Sequence, residues 1–182
     1  MQRIAEFVFE ALFLKHVQRS GYQYLGAGRE SVAEHVYAVT MIAFILSRLE
    51  PRADTERLIC MSLFHDFPEA RIGDLNYVQK HYVRPDEKAA ISDGLRDLPF
   101  ASFVQSLLEE FETGESLEAQ LARDADQMAL IVDLKHLNDL GFQTPQQWLP
   151  HIEKRLQTKT ARDLAKTLLN TPPDEWWLRL FY

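Results

Sequence analysis

The stretch Ser31-Val32-Ala33-Glu34-His35-Val36-Tyr37-Ala38-Val39-Thr40-Met41-Ile42-Ala43-Phe44-Ile45-Leu46-Ser47-Arg48-Leu49 decides the fold. Val32, His35, Val39, Ile42, Leu46 and Leu49 recur at steps of three and four, which is one face of a helix. Pro51 marks its end. Upstream, the pattern predicts a helix over 4–18 with Phe7, Leu12, Phe13 and Val17 facing inward, then a loop over 20–28 rich in glycine and tyrosine. Downstream, a third helix starts at Asp54-Thr55, either of which can cap it, and runs to His65. A short segment follows over 68–72, stopped by Gly73. Further helices are predicted over 86–98 with an Asp cap, over 100–112 up to the Thr113-Gly114 break, and over 116–140 with a Ser cap and Gly141 beyond its end. Residues 144–169, with a break near Pro150, complete the set. No alternating run bounded by turns reads as a strand. The expected fold is all-α, one domain over 1–182, with a core over 12–140 and C-terminal helices and tail over 141–182.

Composition narrows the function. The chain has 182 residues, 46% apolar and 26% charged, with a net charge of −7. These are globular proportions. An acidic chain lacks the basic face that phosphate neutralisation on nucleic acid requires, so no nucleic-acid partner is expected. A small phosphorylated ligand held by one or two arginines is compatible with it. The single cysteine, Cys60, fits a reduced intracellular setting. The start, Met1 to Glu6, has no basic region followed by an apolar core. The longest apolar stretch, Val36 to Leu46, is interrupted by Thr40 and is short for a bilayer. The expectation is a cytoplasmic protein with no membrane partner. The tail, 172–182, is dense in aromatic residues. It is expected to pack back on the helices, or else to cover a subunit interface or the edge of a pocket.

Of the six histidines, His35 and His65 lie on inward faces of predicted helices, His35 with Val32, Val39 and Ile42, His65 with Leu58 and Met61. A buried imidazole needs partners for its nitrogens. Asp66 follows His65 directly. Neighbours on a helix diverge by about 100°, so both reach one ion only off the helix terminus. A carboxylate there is costly unless paired or coordinated. Asp126 lies mid-helix between Ala122 and Ala129, small residues that let another helix approach. Two imidazoles and two carboxylates from three helices form a mixed nitrogen and oxygen set, suited to a first-row divalent ion or Mg²⁺, with positions left for a water and a substrate oxygen. A second local pair, Asp133 and His136 on one face, reads as a surface hydrogen-bonded pair.

His35, then His65-Asp66, then Asp126 resembles the H…HD…D signature of the HD-domain metal-dependent phosphohydrolases. The surrounding stretches, Glu30 to His35, Phe64 to Asp74 and Ala125-Asp126, resemble the bacterial 5′-deoxynucleotidase branch and its eukaryotic HD-domain relatives, from about Leu12 to Leu140. The resemblance implies an all-α HD-type helical bundle, one divalent metal ion (Mn, Co, Fe, Mg, Ni or Zn), a homodimer, and removal of the 5′-phosphate from deoxyribonucleoside monophosphates by a metal-bound water. By position, His35, His65, Asp66 and Asp126 match the metal ligands, Glu69 the acid near the water, Asp74 a carboxylate near the sugar, and Arg19 a phosphate-facing arginine. Lys80 and Arg84 add positive charge nearby.

The chain departs from that pattern after Arg19. The bacterial deoxynucleotidases carry a tryptophan there, associated with crowding the 2′ position; here it is Ser20, with Tyr22 and Tyr24 as the nearby aromatic substitutes. Two-metal HD proteins use extra histidines between the HD pair and the last aspartate; only His81 lies in that interval, which favours one metal and hydrolysis. Two rival readings keep the site: action on another phosphate ester or a nucleotide polyphosphate, and a metal-stabilised binding module without turnover.

Overall fold

A computed structural model describes residues 1–182. The chain is helical throughout, with one isolated bridge between Gln18 and Ser31. Helices α1 (Gln2–Phe13), α2 (Tyr22–Leu25), α3 (Val32–Leu49), α4 (Thr55–Phe64), α5 (Glu69–Ile72) and α6 (Tyr77–Tyr82) form the first part. Helices α7 (Glu87–Leu95), α8 (Ala101–Thr113), α9 (Leu117–Asp139), α10 (Thr144–Glu153), α11 (Lys159–Leu169) and α12 (Glu175–Leu178) follow.

Local side-chain caps set half of the twelve helix starts. Ser31 accepts from the Glu34 backbone N–H while the Glu34 carboxylate accepts from the Ser31 N–H, a reciprocal cap on α3. Asp54, Asp86 and Ser116 accept backbone N–H groups at the starts of α4, α7 and α9, each satisfying a donor the helix leaves free.

The long helix α9 is the hub, packed by α3, α4, α8, α10 and α11. One buried cluster runs through Val39, Leu46, Leu58, Met61, Met128 and Ile131 and continues into Ile152 and Ala161 of the last two long helices. The Val32, His35, Val39 and Leu46 stripe of α3 is buried as the spacing predicts, whereas Leu49 is exposed and Ile42 only half-buried. At 18 residues and a mean hydropathy of 1.4, α3 has the length and apolarity to cross a membrane, more than its Val36–Leu46 run suggests; here its inner stripe packs on α4 and α9.

A second cluster joins Phe7, Phe67, Leu95, Leu98, Val104 and Leu108. Phe67 packs on Phe7 at 5.0 Å between ring centroids. Gly94 makes room for it, since a Cβ there would lie 2.7 Å from the Phe67 ring. This contact pins the backbone immediately after Asp66.

Five expectations are corrected. The first helix ends at Phe13, not residue 18. Leu12 and Phe13 are exposed and Phe7 is the residue of α1 that is buried. The 20–28 loop contains the one-turn α2, closed by Gly26 in the left-handed region at φ 73°. The break in 144–169 falls between Glu153 and Lys159, while Pro150 lies inside α10. The aromatic tail does not pack on the core: Trp176, Leu180, Phe181 and Tyr182 are exposed, and Trp177 meets Phe181 edge-on at 6.3 Å.

The displaced break has a cause in α9. Asp124 is fully buried and accepts from the backbone N–H groups of Gln157 (2.6 Å) and Thr158 (2.8 Å) and from the Thr158 hydroxyl (2.6 Å). Thr158 in turn caps α11. Asp124→Ala leaves those buried donors without an acceptor and should lower stability by about 3 kcal/mol, read as a shift in the urea unfolding midpoint.

Candidate metal centre and active site

Three helices deliver the cluster that the sequence singled out. His35 comes from the first turns of α3, His65 caps the C-terminus of α4, and Asp126 projects from the middle of α9. Asp66 lies two residues beyond α4, directly after its cap, in the turn that Phe67 anchors. His65 and Asp66 therefore meet off a helix end, as their adjacency requires. One donor atom from each of His35, His65 and Asp126 lies within 4.8 Å of the others. His35 Nε2 is 3.0 Å from Asp126 Oδ1 and 3.7 Å from Asp66 Oδ2. His65 Nε2 is 3.2 Å from Asp66 Oδ2. The imidazole rings are 5.6 Å apart between centroids.

Neighbouring groups fix the orientation of these side chains. His65 Nδ1 is bonded to the Ser62 carbonyl at 2.8 Å, which turns Nε2 toward the carboxylates. Nε2 itself is buried and has no aligned hydrogen-bond partner. Gln127 donates to Asp126 Oδ2 at 2.8 Å. On the far side of His35, the Glu30 carboxylate lies 3.7 Å from Nδ1. Glu30 also lies 3.4 Å from the Tyr22 hydroxyl, which donates to Asp133. A carboxylate behind a ligating imidazole is the usual way such a ring is oriented.

The electrostatics carry excess negative charge. Burial works against ionised Asp66, yet His65, His35 and Arg19 hold its carboxyl far below the usual range. Burial likewise opposes ionised Asp126, and the bond to His35 overrides it, lowering its pKa. Burial opposes a charged His65, but Asp66 and Asp126 raise its pKa to about 9. Glu69 is pushed up to about 10, first by burial and then by Asp66 and Asp74. Its Oε2 is buried without a partner. Burial, then Asp133, raises Glu30 to about 7.

An orphaned imidazole nitrogen facing two ionised carboxylates fits a divalent cation. The separations of 3.0 Å for His35–Asp126, 3.2 Å for His65–Asp66 and 3.7 Å for His35–Asp66 agree, because bonds of about 2.1 Å put ligand atoms up to about 4 Å apart. His35, His65, Asp66 and Asp126 are the side chains that can hold it.

Arg19 bridges the cluster and its rim. Its Nη1 is 3.2 Å from Asp66 Oδ2 and 3.5 Å from Asp74 Oδ1, and these acids keep it charged against the cost of burial. Asp74 Oδ2 accepts from the Ser20 N–H at 2.5 Å and the Ser20 hydroxyl at 2.9 Å. Ser20 therefore holds Asp74. Gly73 precedes it at φ 74° and ψ 163°, a conformation open essentially to glycine alone. Lys80 lines the cavities beside Glu69.

Other sequence candidates lie elsewhere. His81 is exposed on α6 and stacks edge-on with Tyr82. Arg84 folds back onto the Lys80 and Val83 carbonyls. Asp133 and His136 do not act as a surface pair: Asp133 accepts from Tyr22, and His136 is exposed beside Trp177. Tyr22 is tied into this wall, while Tyr24 is exposed. The sequence reading missed Glu30, Gln127 and Asp124 as functional neighbours. Gln127 had one available signal, its place directly after Asp126.

Comparison with known proteins identifies the family. The family model described as HD domain matches residues 12–168. The 5'-deoxynucleotidase HDDC2 of Danio rerio is 30% identical over 134 residues, covering 70% of this chain and 66% of the relative. The protein of that name from Homo sapiens is 29% identical over 133 residues, covering 70% and 64%. The chain thus spans just under two thirds of the length of these curated relatives. A solved protein from Pyrococcus horikoshii OT3 superimposes with a TM-score of 0.76 at 26% identity, covering 91% of this chain and 98% of that one. With the family match spanning most of its length and the H…HD…D residues gathered at one point, the chain belongs to the HD domain family.

Proposed function

We propose that this protein is a metal-dependent phosphomonoesterase that releases phosphate from nucleoside 5′-monophosphates, with deoxyribose preferred. The observation that carries this reading is the convergence of His35, His65, Asp66 and Asp126 beneath Arg19, with the unpartnered Glu69 beside them. The substrate class rests on the relatives, which are named 5'-deoxynucleotidases. The mixed nitrogen and oxygen donors suit one divalent ion among Mn, Co, Fe, Mg, Ni and Zn.

A cation held there would lower the pKa of water and offset charge on a phosphoryl oxygen. The protein's own groups do the rest. Arg19 uses one nitrogen on Asp66 and Asp74 and has further donors for a phosphoryl oxygen. Beside a bound cation Glu69 would ionise; its carboxylate then takes the proton of the attacking water at Oε2 as the new O–P bond forms and returns it to the 5′ oxygen as that bond breaks. Asp74, held on Ser20 through Oδ2, keeps Oδ1 to steady Arg19 and to accept from a sugar hydroxyl.

We further take residues 1–182 as one domain, since a single buried cluster runs from Leu25 to Ala165. The net charge of −7 and the lone cysteine support a cytoplasmic enzyme that does not bind nucleic acid. The outer face of α3 exposes Tyr37, Met41, Phe44 and Ile45, at helical spacing, and supports a homodimer through that face. Light scattering should give twice the 21.1 kDa chain mass, and Phe44→Glu should return the monomer mass.

With Mn²⁺ or Co²⁺, purified protein should release inorganic phosphate from at least one deoxynucleoside monophosphate. Asp66→Ala should lower turnover roughly a hundredfold or more. Triphosphate or pyrophosphate release from deoxynucleoside triphosphates would favour a polyphosphate substrate instead. A lowered melting temperature on chelation, without turnover of any phosphate ester, would favour a binding module.

Glu69 gives a separate test. A carboxyl raised to about 10 in the fold contributes stability below its ordinary pKa and loses it as pH climbs toward 10. In chelator-treated protein, Glu69→Gln should therefore be more stable than wild type at pH 8 and converge with it below pH 5, by urea denaturation. With metal restored, the same variant should turn over far more slowly.

A further inference from the structure

The cluster opens into two cavities, of about 1090 Å³ and about 820 Å³, which share Asp66, Glu69, Leu75, Lys80 and Asp126. They differ in chemistry. The larger is lined by charges of both signs, among them Lys88, Asp86, Glu87 and Glu109, and its one aromatic wall residue, Phe111, is packed against His65. The smaller contains Arg19 and Asp74 and is lined by four aromatic residues, Tyr22, Tyr24, Tyr77 and Trp148.

One side of the smaller cavity is a whole helix face. Gln147, Trp148, His151 and Ile152 of α10, followed by Arg155, recur at steps of one, three and four and all line it. Trp148 is half-buried against the core, which fixes its ring, while Gln147, His151 and Arg155 are exposed at the rim. Tyr24 from α2 and Tyr77 from α6, both exposed, line the same cavity. Tyr24 and Tyr77 make no side-chain hydrogen bond, unlike Tyr22, whose hydroxyl is engaged. The floor connects back to the cluster: Arg155 donates to Gln127 at 3.5 Å, and Gln127 donates to Asp126 at 2.8 Å.

We infer that the nucleoside occupies this smaller cavity, with its base stacked against Trp148 and covered by Tyr24, so that α10 determines how tightly nucleotides bind. The inference rests on the phosphatase reading and adds which lobe takes the base. An aromatic slot with a polar rim suits a flat heteroaromatic ring, because every nucleobase offers a π-face whatever its hydrogen-bonding edge. A volume of about 820 Å³ is within the range of small-molecule sites. The larger cavity offers a base no free aromatic face. The α10 face therefore predicts broad acceptance of bases, since stacking on a ring does not read base edges.

The test compares two substrates that share phosphate and sugar and differ in the base: a deoxynucleoside monophosphate and 2-deoxyribose 5-phosphate. Trp148→Ala should raise KM for the nucleotide roughly tenfold with kcat within twofold, and leave both constants for 2-deoxyribose 5-phosphate unchanged. Trp148→Phe should restore the nucleotide KM. Tyr24→Ala, on an exposed side chain, should show the same selective loss if Trp148→Ala fails to fold. Deoxyadenosine alone should quench tryptophan fluorescence of the metal-free protein, and the quench should vanish in Trp148→Phe. Equal changes on both substrates, unchanged nucleotide KM, or no deoxyadenosine quench would overturn the assignment. Absence of turnover on both substrates in wild type would instead overturn the phosphatase reading, whatever the deoxyadenosine titration gives.

Discussion

Two ionised aspartates enclosed with two buried imidazoles are the constraint on which this structure turns. Asp66 and Asp126 sit against His35 and His65, and the Arg19 guanidinium and a charged His65 are the cations within reach of Asp66. Ionised carboxylates removed from water are costly unless a cation or several donors face them. The fold supplies some of that compensation: Gln127 on Asp126, Arg19 on Asp66, and Ser20 on Asp74. It leaves His65 Nε2 and Glu69 Oε2 unpaired. The unspent bonding capacity is concentrated at one point, and that point opens to both cavities.

The rest of the chain holds that point still. The α9 hub sets Asp126 among Ala122, Ala125 and Ala129, all buried, so that α3 and α4 pack closely around it. The Phe7–Phe67 contact and the space left by Gly94 fix the turn carrying Asp66. Glu30, Tyr22 and Asp133 form a half-buried polar wall behind His35. These supports come from α1, α2, α7 and α9, far apart in the chain. Side chains held by packing and by outer hydrogen bonds can present a fixed geometry to a ligand without rearrangement at the moment of reaction.

Much of this was legible locally. Helix starts at Ser31, Asp54, Asp86 and Ser116 depend on a side chain a few residues from its own partner, so the sequence alone identifies them. His35, His65 and Asp66 stood out because polar groups on apolar faces demand a reason. What escaped depends on contacts distant in sequence. Asp124 and Asp126 look equivalent as acids in one helix, but two residues on a helix are turned about 200° apart. One therefore faces the link between α10 and α11, and the other faces the cluster. Pro150 is a local signal for a helix break, whereas the backbone is captured at Gln157 and Thr158 by Asp124 across the fold. The aromatic tail read as core material because composition does not say whether a surface exists to receive it. The polar wall behind His35 joins residues 22, 30 and 133, a pairing no spacing announces.

The most direct measurement is a calorimetric titration of chelator-treated protein with Mn²⁺, in wild type and in Asp126→Ala. The account predicts one equivalent bound per chain in wild type, with affinity lost in the variant while its helical circular dichroism is retained. Binding that survives Asp126→Ala unchanged, or no saturable binding in wild type, would contradict it.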